Sequence, residues 1–134
     1  MRLPDGRVLV IAGNKGLFSK AVIEAFDPVS GSFAIVGSLT QARHSHTATL
    51  LPNGRVLVTG GSYSFSGPDA PESIVLASSE LYLPGSSGTE AAPTLISPRV
   101  GHTATLLNDG RVLVVGGRDS NGTLATSELL EISH

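Results

Sequence analysis

Three copies of one eight-residue phrase govern what this chain can fold into: LPDGRVLV at 3–10, LPNGRVLV at 51–58 and LNDGRVLV at 107–114. Each is followed by a small pair, Ala12-Gly13, Gly60-Gly61 or Gly116-Gly117. The second and third copies are preceded by the same HTATLL, at 46–51 and 102–107. Downstream of every copy a strand-like run surrounds Glu24, Glu80 or Glu128. Recurrence at this period marks a chain that stacks one small unit on the next, so the unit must be read before anything else.

Each unit reads as four short antiparallel strands, A to D. HTATLL is strand A. An Asp-Gly or Asn-Gly turn, expected as type I′, leads into strand B, and the Gly pair closes B where a side chain would block a close approach. Strand C falls at 21–27, 78–83 and 127–132, and D at 33–39 and 90–96. Sixteen Gly and eight Pro supply the turns, while Val and Leu supply the strands. The fold class is all-β, with one domain over 1–134 divided as 1–41, 42–97 and 98–134.

The order of a His-bearing strand, an apolar strand ending in Gly-Gly, and a strand such as Glu24-Ala-Phe-Asp-Pro28 resembles the Kelch repeat. The bacterial variety is the best match, through Gly37-Ser-Leu-Thr-Gln-Ala-Arg43 running into His46-Thr-Ala-Thr-Leu-Leu-Pro-Asn-Gly54. Two positions depart from it. The strand-D tryptophan is absent, with Phe33 standing there once, and Tyr82 is followed by Leu83 rather than Asp. The resemblance implies β-propeller blades, four-stranded antiparallel meanders with strand A innermost, and here an incomplete propeller of about three blades.

Spacing refines this. Glu24 to His46 and Glu80 to His102 are both 22 residues. From the Gly pair to the strand-C Glu is 11 residues in the first and third units and 19 in the second. Residues 62–79 therefore carry an insertion. The first unit lacks strand A and the third lacks D, leaving ten strands as B-C-D, A-B-C-D and A-B-C. A two-chain ring would miss one D and one A strand at each seam. A piece of a longer propeller fits better, and an open arc would self-associate through exposed blade edges.

Strand alternation puts B–C loops and D–A connections on one face. The insertion thus lies beside 40–45 and 97–101, and it brings Tyr63, Phe65, Asp69 and Glu72. Rim loops on a rigid scaffold commonly carry recognition, so these four are candidate binding residues, against the plainer reading of a solvated loop. Arg43 and Arg99, equivalent positions ahead of strand A, are candidates for carboxylates or sugars on the same face. Their recurrence also fits a framework contact to a strand-C glutamate. His46 and His102 open the inner strands and read as hydrogen-bonded packing residues rather than metal ligands. His44 and His134 have no counterparts. Glu24, Glu80 and Glu128 recur on strand C, which fits structural ion pairing better than paired acid catalysis.

Composition excludes several classes. A net charge of −2, with nine Lys and Arg of which no two are neighbours, provides no basic face for nucleic acid. No cysteine means no disulfide and no thiolate metal site. Neither a signal peptide nor an apolar run of about 20 residues for a membrane span is visible, and the compartment stays open. Gly13-Asn14-Lys15-Gly16 lacks the Gly-Lys-Ser/Thr and helix of a phosphate loop, and no Gly-x-Ser-x-Gly elbow occurs. The expected function is therefore a scaffold that binds a protein or a carbohydrate through its B–C and D–A loops, without cofactor or catalysis. The alternative is a non-catalytic fragment of a carbohydrate oxidase of the galactose-oxidase type. Its cross-linked Tyr–Cys is impossible here, and Tyr63 and Tyr82 adjoin no histidine.

Overall fold

The computed structural model describes residues 1–15, 18–66 and 71–132. Asp69 and His134 lie outside them. All regular structure among the described residues is antiparallel β, with no helix. The first sheet is β1 (Val8–Lys15), β2 (Phe18–Asp27) and β3 (Ser32–Ser38). The second is β4 (Thr47–Leu50) and β5 (Val56–Thr59), then, after a separate hairpin of β6 (Ser62–Ser66) and β7 (Pro71–Val75), β8 (Ser79–Tyr82) and β9 (Thr89–Ala91). In the third, β10 (Thr103–Leu106) and β11 (Val112–Val115) are followed by a small hairpin, β12 (Arg118–Asp119) and β13 (Gly122–Thr123). Strand β14 (Ser127–Leu130) completes that sheet. The orders β1-β2-β3, β4-β5-β8-β9 and β10-β11-β14 are simple meanders.

The three A–B turns share one geometry, and it is not type I′. Leu3, Leu51 and Leu107 each donate an amide to the Arg four residues on, at 2.8 Å. Gly6, Gly54 and Gly110 each donate back to that Leu at 3.0 Å. Only the glycine of each turn has positive φ, at 94°, 87° and 89°. Type I′ needs two such residues, so this is the three-residue hairpin loop, a tight turn followed by one left-handed glycine. Pro4 and Pro52 favour it, because proline suits the second position of a type I turn. Asp5, Asn53 and Asp109 add side-chain caps to the following arginine amides at 3.0 Å.

The Gly pairs are needed for a different reason. Gly61 sits at φ 95°, and a Cβ there would lie 2.6 Å from the His44 carbonyl oxygen and 2.9 Å from the His46 Cβ. Gly60 is as tight, with the Arg99 carbonyl at 2.8 Å and the His102 ring at 2.7 Å from the same hypothetical atom. The Gly60-Gly61 pair is where the second sheet's strand B meets the backbone of the connection that leads into the third, and Gly61 donates to the Arg99 carbonyl at 2.7 Å.

Two apolar clusters lie between successive sheets. The first joins Leu9, Ile11, Ile23 and Ala25 to Val56, Val58 and Tyr82. The second joins Leu57 and Leu81 to Val112, Val114, Leu130 and Ile132. Side chains alternate across a strand, so Val56 and Val58 face the first sheet while Leu57 faces the third. The central sheet is thus covered on both faces, and every residue of β5 and β8 is buried. The outer sheets are covered on one face only, leaving Val10, Phe33, Ile35, Val115 and Leu129 exposed.

Gly61→Ala combines left-handed strain with a backbone clash and should cost about 3 kcal/mol. Gly54→Ala, with open space around its Cβ, should cost only about 1–2 kcal/mol from strain alone. Urea unfolding of the two variants checks the order. Equal losses would mean that the close approach does not constrain this position.

Candidate functional site

Arg43 and Arg99 are fully buried, at 0% and 1% exposure. Neither is available to an outside ligand, which corrects the expectation that they bind carboxylates or sugars. The framework contact is what the structure contains. The Arg43 amide donates to the Lys20 carbonyl at 3.1 Å, and its own carbonyl accepts from Gly13 at 2.9 Å. With its backbone thus on the first sheet, its guanidinium reaches the second, to the carbonyls of Gly60 at 2.8 Å and Ser78 at 2.9 Å, and to Glu80 at 3.0 Å. Arg99 repeats the pattern, with Gly116 and Thr126 carbonyls at 2.9 and 2.8 Å and Glu128 at 3.1 Å. Ser78 and Thr126 also take a guanidinium hydrogen bond on their hydroxyls. That repeated hydroxyl two residues before each glutamate is a site feature sequence reasoning missed, although the repeat displays it.

Glu80 and Glu128 receive more than an arginine. Glu80 accepts from the Thr40 and Gln41 amides at 2.7 and 3.0 Å and from the Thr89 hydroxyl. Glu128 accepts from the Ile96 and Ser97 amides at 2.6 and 3.0 Å. Burial pushes the Glu80 carboxyl up, but the Thr89 hydroxyl, the two amides and Arg43 outweigh it, and the net shift is downward. Burial likewise raises Glu128, while the amides and Arg99 carry it below the ordinary value. With four donors on one carboxylate, Glu80 has no spare lone pair for proton transfer. A cleft of about 430 Å³ opens over Glu80 between 40–43 and β9, and the Glu80 carboxylate on its floor already accepts four hydrogen bonds.

The histidines are wedged among these contacts. The His102 Nε2 and the Thr47 hydroxyl are 3.0 Å apart, and the His44 Nδ1 and the Ser19 hydroxyl are 2.8 Å apart. His46 is lowered to about 4, first by burial and then by the Arg43 charge. Among the described residues no three His, Asp or Glu side chains converge as a metal site would require.

The insertion is a hairpin rather than a loop, and it is the long version of one that closes B–C in every unit. In the first unit β1 and β2 run on past Gly13, and in the third β12 pairs with β13. Its root is tied down: His44 and Ser62 exchange both backbone hydrogen bonds at 2.9 Å, and the Ser64 amide donates to the Ser19 hydroxyl at 2.9 Å. The D–A connection and the B–C hairpin are thus on one face, and the third unit repeats this through Val100 and Arg118. Tyr63 pairs with Ile74 and Phe65 with Glu72. Alternation places all four on one side of the hairpin and the serines on the other. The Tyr63 and Phe65 rings stack at 5.2 Å with a 21° tilt, and both are half-exposed. Glu72 and Ile74 are exposed beside them. Ile74 was not among the candidates, because only cross-strand register brings it to the rings.

No family model matches this sequence, and no curated protein does. The chain is similar to the solved structure of YjhT, with 13% identity and a TM-score of 0.77 over 95% of its length. It spans 40% of that longer chain. The two share a fold over this stretch.

Removing one partner of a buried pair leaves the other charge stranded, so Glu80→Ala should cost about 3–5 kcal/mol in urea unfolding. The combined Arg43→Met and Glu80→Leu change should lose markedly less than the sum of its single variants. Strict additivity would sink the coupling. The imidazole of His46 supplies a separate test. Its folded pKa lies below 6.5, so the unfolded state takes up the proton first as pH falls. Stability should therefore decline from about pH 6.5 to about 4 and then stop changing on this account. His46→Asn should flatten that part of the Tm–pH curve, and an unchanged slope would exclude His46 as its source.

Proposed function

We propose that this chain is a run of Kelch-type blades within a larger β-propeller and that it works as a binding scaffold, with the β6–β7 hairpin as its recognition element. Three meanders of one repeat, stacked face to face through apolar clusters, support the propeller reading. The solved chain that shares this fold is longer, which leaves room for further sheets. Three blades cannot close a ring of the usual four to eight, which is why the scaffold is read as part of a larger ring.

The Tyr63–Phe65 stack carries the functional reading. Packing the rings on each other restrains their rotamers beforehand, so little side-chain freedom is lost when a ligand arrives. Glu72, directly across from Phe65, supplies a carboxylate acceptor beside an apolar face. Aromatic rings next to a hydrogen-bond acceptor suit the C–H face and hydroxyls of a sugar, and a carbohydrate is the ligand proposed. The exposed Ile74 widens the apolar patch and favours a protein segment as the second reading. Arg43 and Arg99 serve this surface only by holding the hairpin's neighbours in place.

Glycan-array screening of the wild type, followed by calorimetry on the retained glycan, tests the proposal. Tyr63→Ser with Phe65→Ser should weaken that binding at least about tenfold while leaving stability within about 1 kcal/mol. Binding unaffected by the double change would remove the hairpin from the site. An array with no retained glycan would leave the protein reading.

A further inference from the structure

Four asparagines occur in the chain, and two of them precede glycine: Asn53-Gly54 and Asn121-Gly122. Such a pair is chemically vulnerable, because glycine has no side chain to shield its amide nitrogen from the carboxamide before it. Asn14 precedes Lys15 and Asn108 precedes Asp109, where a side chain stands in the way. The two Asn-Gly pairs sit in very different surroundings.

Asn53 belongs to the A–B turn of the central sheet. Its Oδ1 accepts from the Arg55 amide at 3.0 Å, and the Gly54 amide donates to the Leu51 carbonyl at 3.0 Å. The Leu51 amide closes the turn on the Arg55 carbonyl at 2.8 Å, Leu51 is buried, and every residue of β5, just beyond, is buried too. Swinging the Asn53 carboxamide over the Gly54 nitrogen turns that peptide out of the loop and strains an edge of the core. Asn121 is at the tip of the β12–β13 hairpin, whose strands are two residues each. From Arg118 to Thr123 every residue is exposed except the half-buried Asp119. The Asn121 amide donates to the Asp119 Oδ1 at 2.8 Å, while its carboxamide makes no hydrogen bond among the described residues. Beneath the tip, Leu124 donates to the Gly117 carbonyl at 2.8 Å and Arg118 bridges to Val100, so opening the tip leaves the root bonded. Short, exposed ladders of this kind open at little cost in free energy.

We infer that Asn121 is a site of spontaneous modification in the folded protein, deamidating through a cyclic imide, and that Asn53 is protected by its turn. The Gly122 nitrogen, its proton taken by a solvent base, attacks the Asn121 Cγ. The N–Cγ bond forms, the Cγ–Nδ2 bond breaks, and Nδ2 leaves as ammonia with a proton from water. Water then opens the five-membered imide. Cleavage on the Cγ side leaves an aspartate. Cleavage on the backbone-carbonyl side leaves an isoaspartate, whose main chain runs through Cγ and is one atom longer. Either product places a negative charge two residues from Asp119, and the longer one spoils the register of Arg118 on Thr123 and of Asp119 on Gly122. Ageing thus alters the third unit's B–C hairpin, on the face that carries β6–β7, whether or not β6–β7 binds a ligand.

The test incubates the full chain in warm, mildly alkaline buffer and maps its peptides by mass spectrometry with electron-transfer fragmentation, which separates aspartate from isoaspartate. In the folded protein Asn121 should convert at least about tenfold faster than Asn53. In guanidinium the two should convert at similar rates, since both are then Asn-Gly in an open chain. Asn121→Gln, whose longer side chain closes the ring poorly, should remove the product at 121 and leave the urea midpoint unchanged. Equal rates at the two sites of the folded chain, or a faster Asn53, overturn the proposal. So does an intact Asn121 in folded protein after a period in which the unfolded chain has converted fully.

Discussion

A guanidinium taken completely out of water must find a partner for nearly every donor, and this requirement organises the molecule. Arg43 and Arg99 come close to meeting it by spanning two sheets at once. Their backbones bond to one sheet, while their guanidiniums donate to the next: to a strand-B carbonyl, a strand-C carbonyl and hydroxyl, and a strand-C carboxylate. The carboxylate is itself fixed by two amides from the same connection. A buried ion pair does not by itself guarantee net stability, because desolvation offsets much of the attraction. What it supplies here is position. Each guanidinium and its carboxylate tie the backbone of one sheet to strands B and C of the next.

The apolar contacts obey that placement. Val56, Val58 and Tyr82 on one face of the central sheet, and Leu57 and Leu81 on the other, make its strands buried throughout. The glycine pairs let the backbones approach closely enough for the Gly61 amide to reach the Arg99 carbonyl. With the frame held this way, the B–C connection is free to vary in length. The β6–β7 hairpin uses that freedom, rooted on His44 and Ser19 and carrying its rings on one side.

The order of the sheet strands and the ion pairing of Glu80 and Glu128 were legible in the sequence because the same residues recur at fixed offsets. The strand D read at 90–96, by contrast, forms only at Thr89–Ala91, and Glu24 has no ion-pair partner among the described residues. Two readings failed for lack of three-dimensional information. Arginines on a loop face look like ligand groups until burial is known. Asp-Gly and Asn-Gly look like type I′ turns until it is seen that only the glycine adopts positive φ and that three residues close the loop. The hairpin inside 62–79 was hidden because its serines and aromatics alternate over only five residues before Gly67 and Pro68 interrupt the pattern.

The sequence by itself determined the unit: its period, its all-β character, the glycines that allow close approach and the arginine–glutamate partnership. These are local or repeated features, and periodicity and backbone sterics are enough to impose them. Only the tertiary structure decided which groups are consumed and which are left over. Burial and hydrogen bonding depend on what lies across the interface, which no residue's own neighbours in sequence can report. Thus Arg43 and Arg99 are spent inside the frame, Tyr63, Phe65, Glu72 and Ile74 share one open surface, and the Glu24 side chain, unlike Glu80 and Glu128, has no hydrogen-bond or ion-pair partner among the described residues.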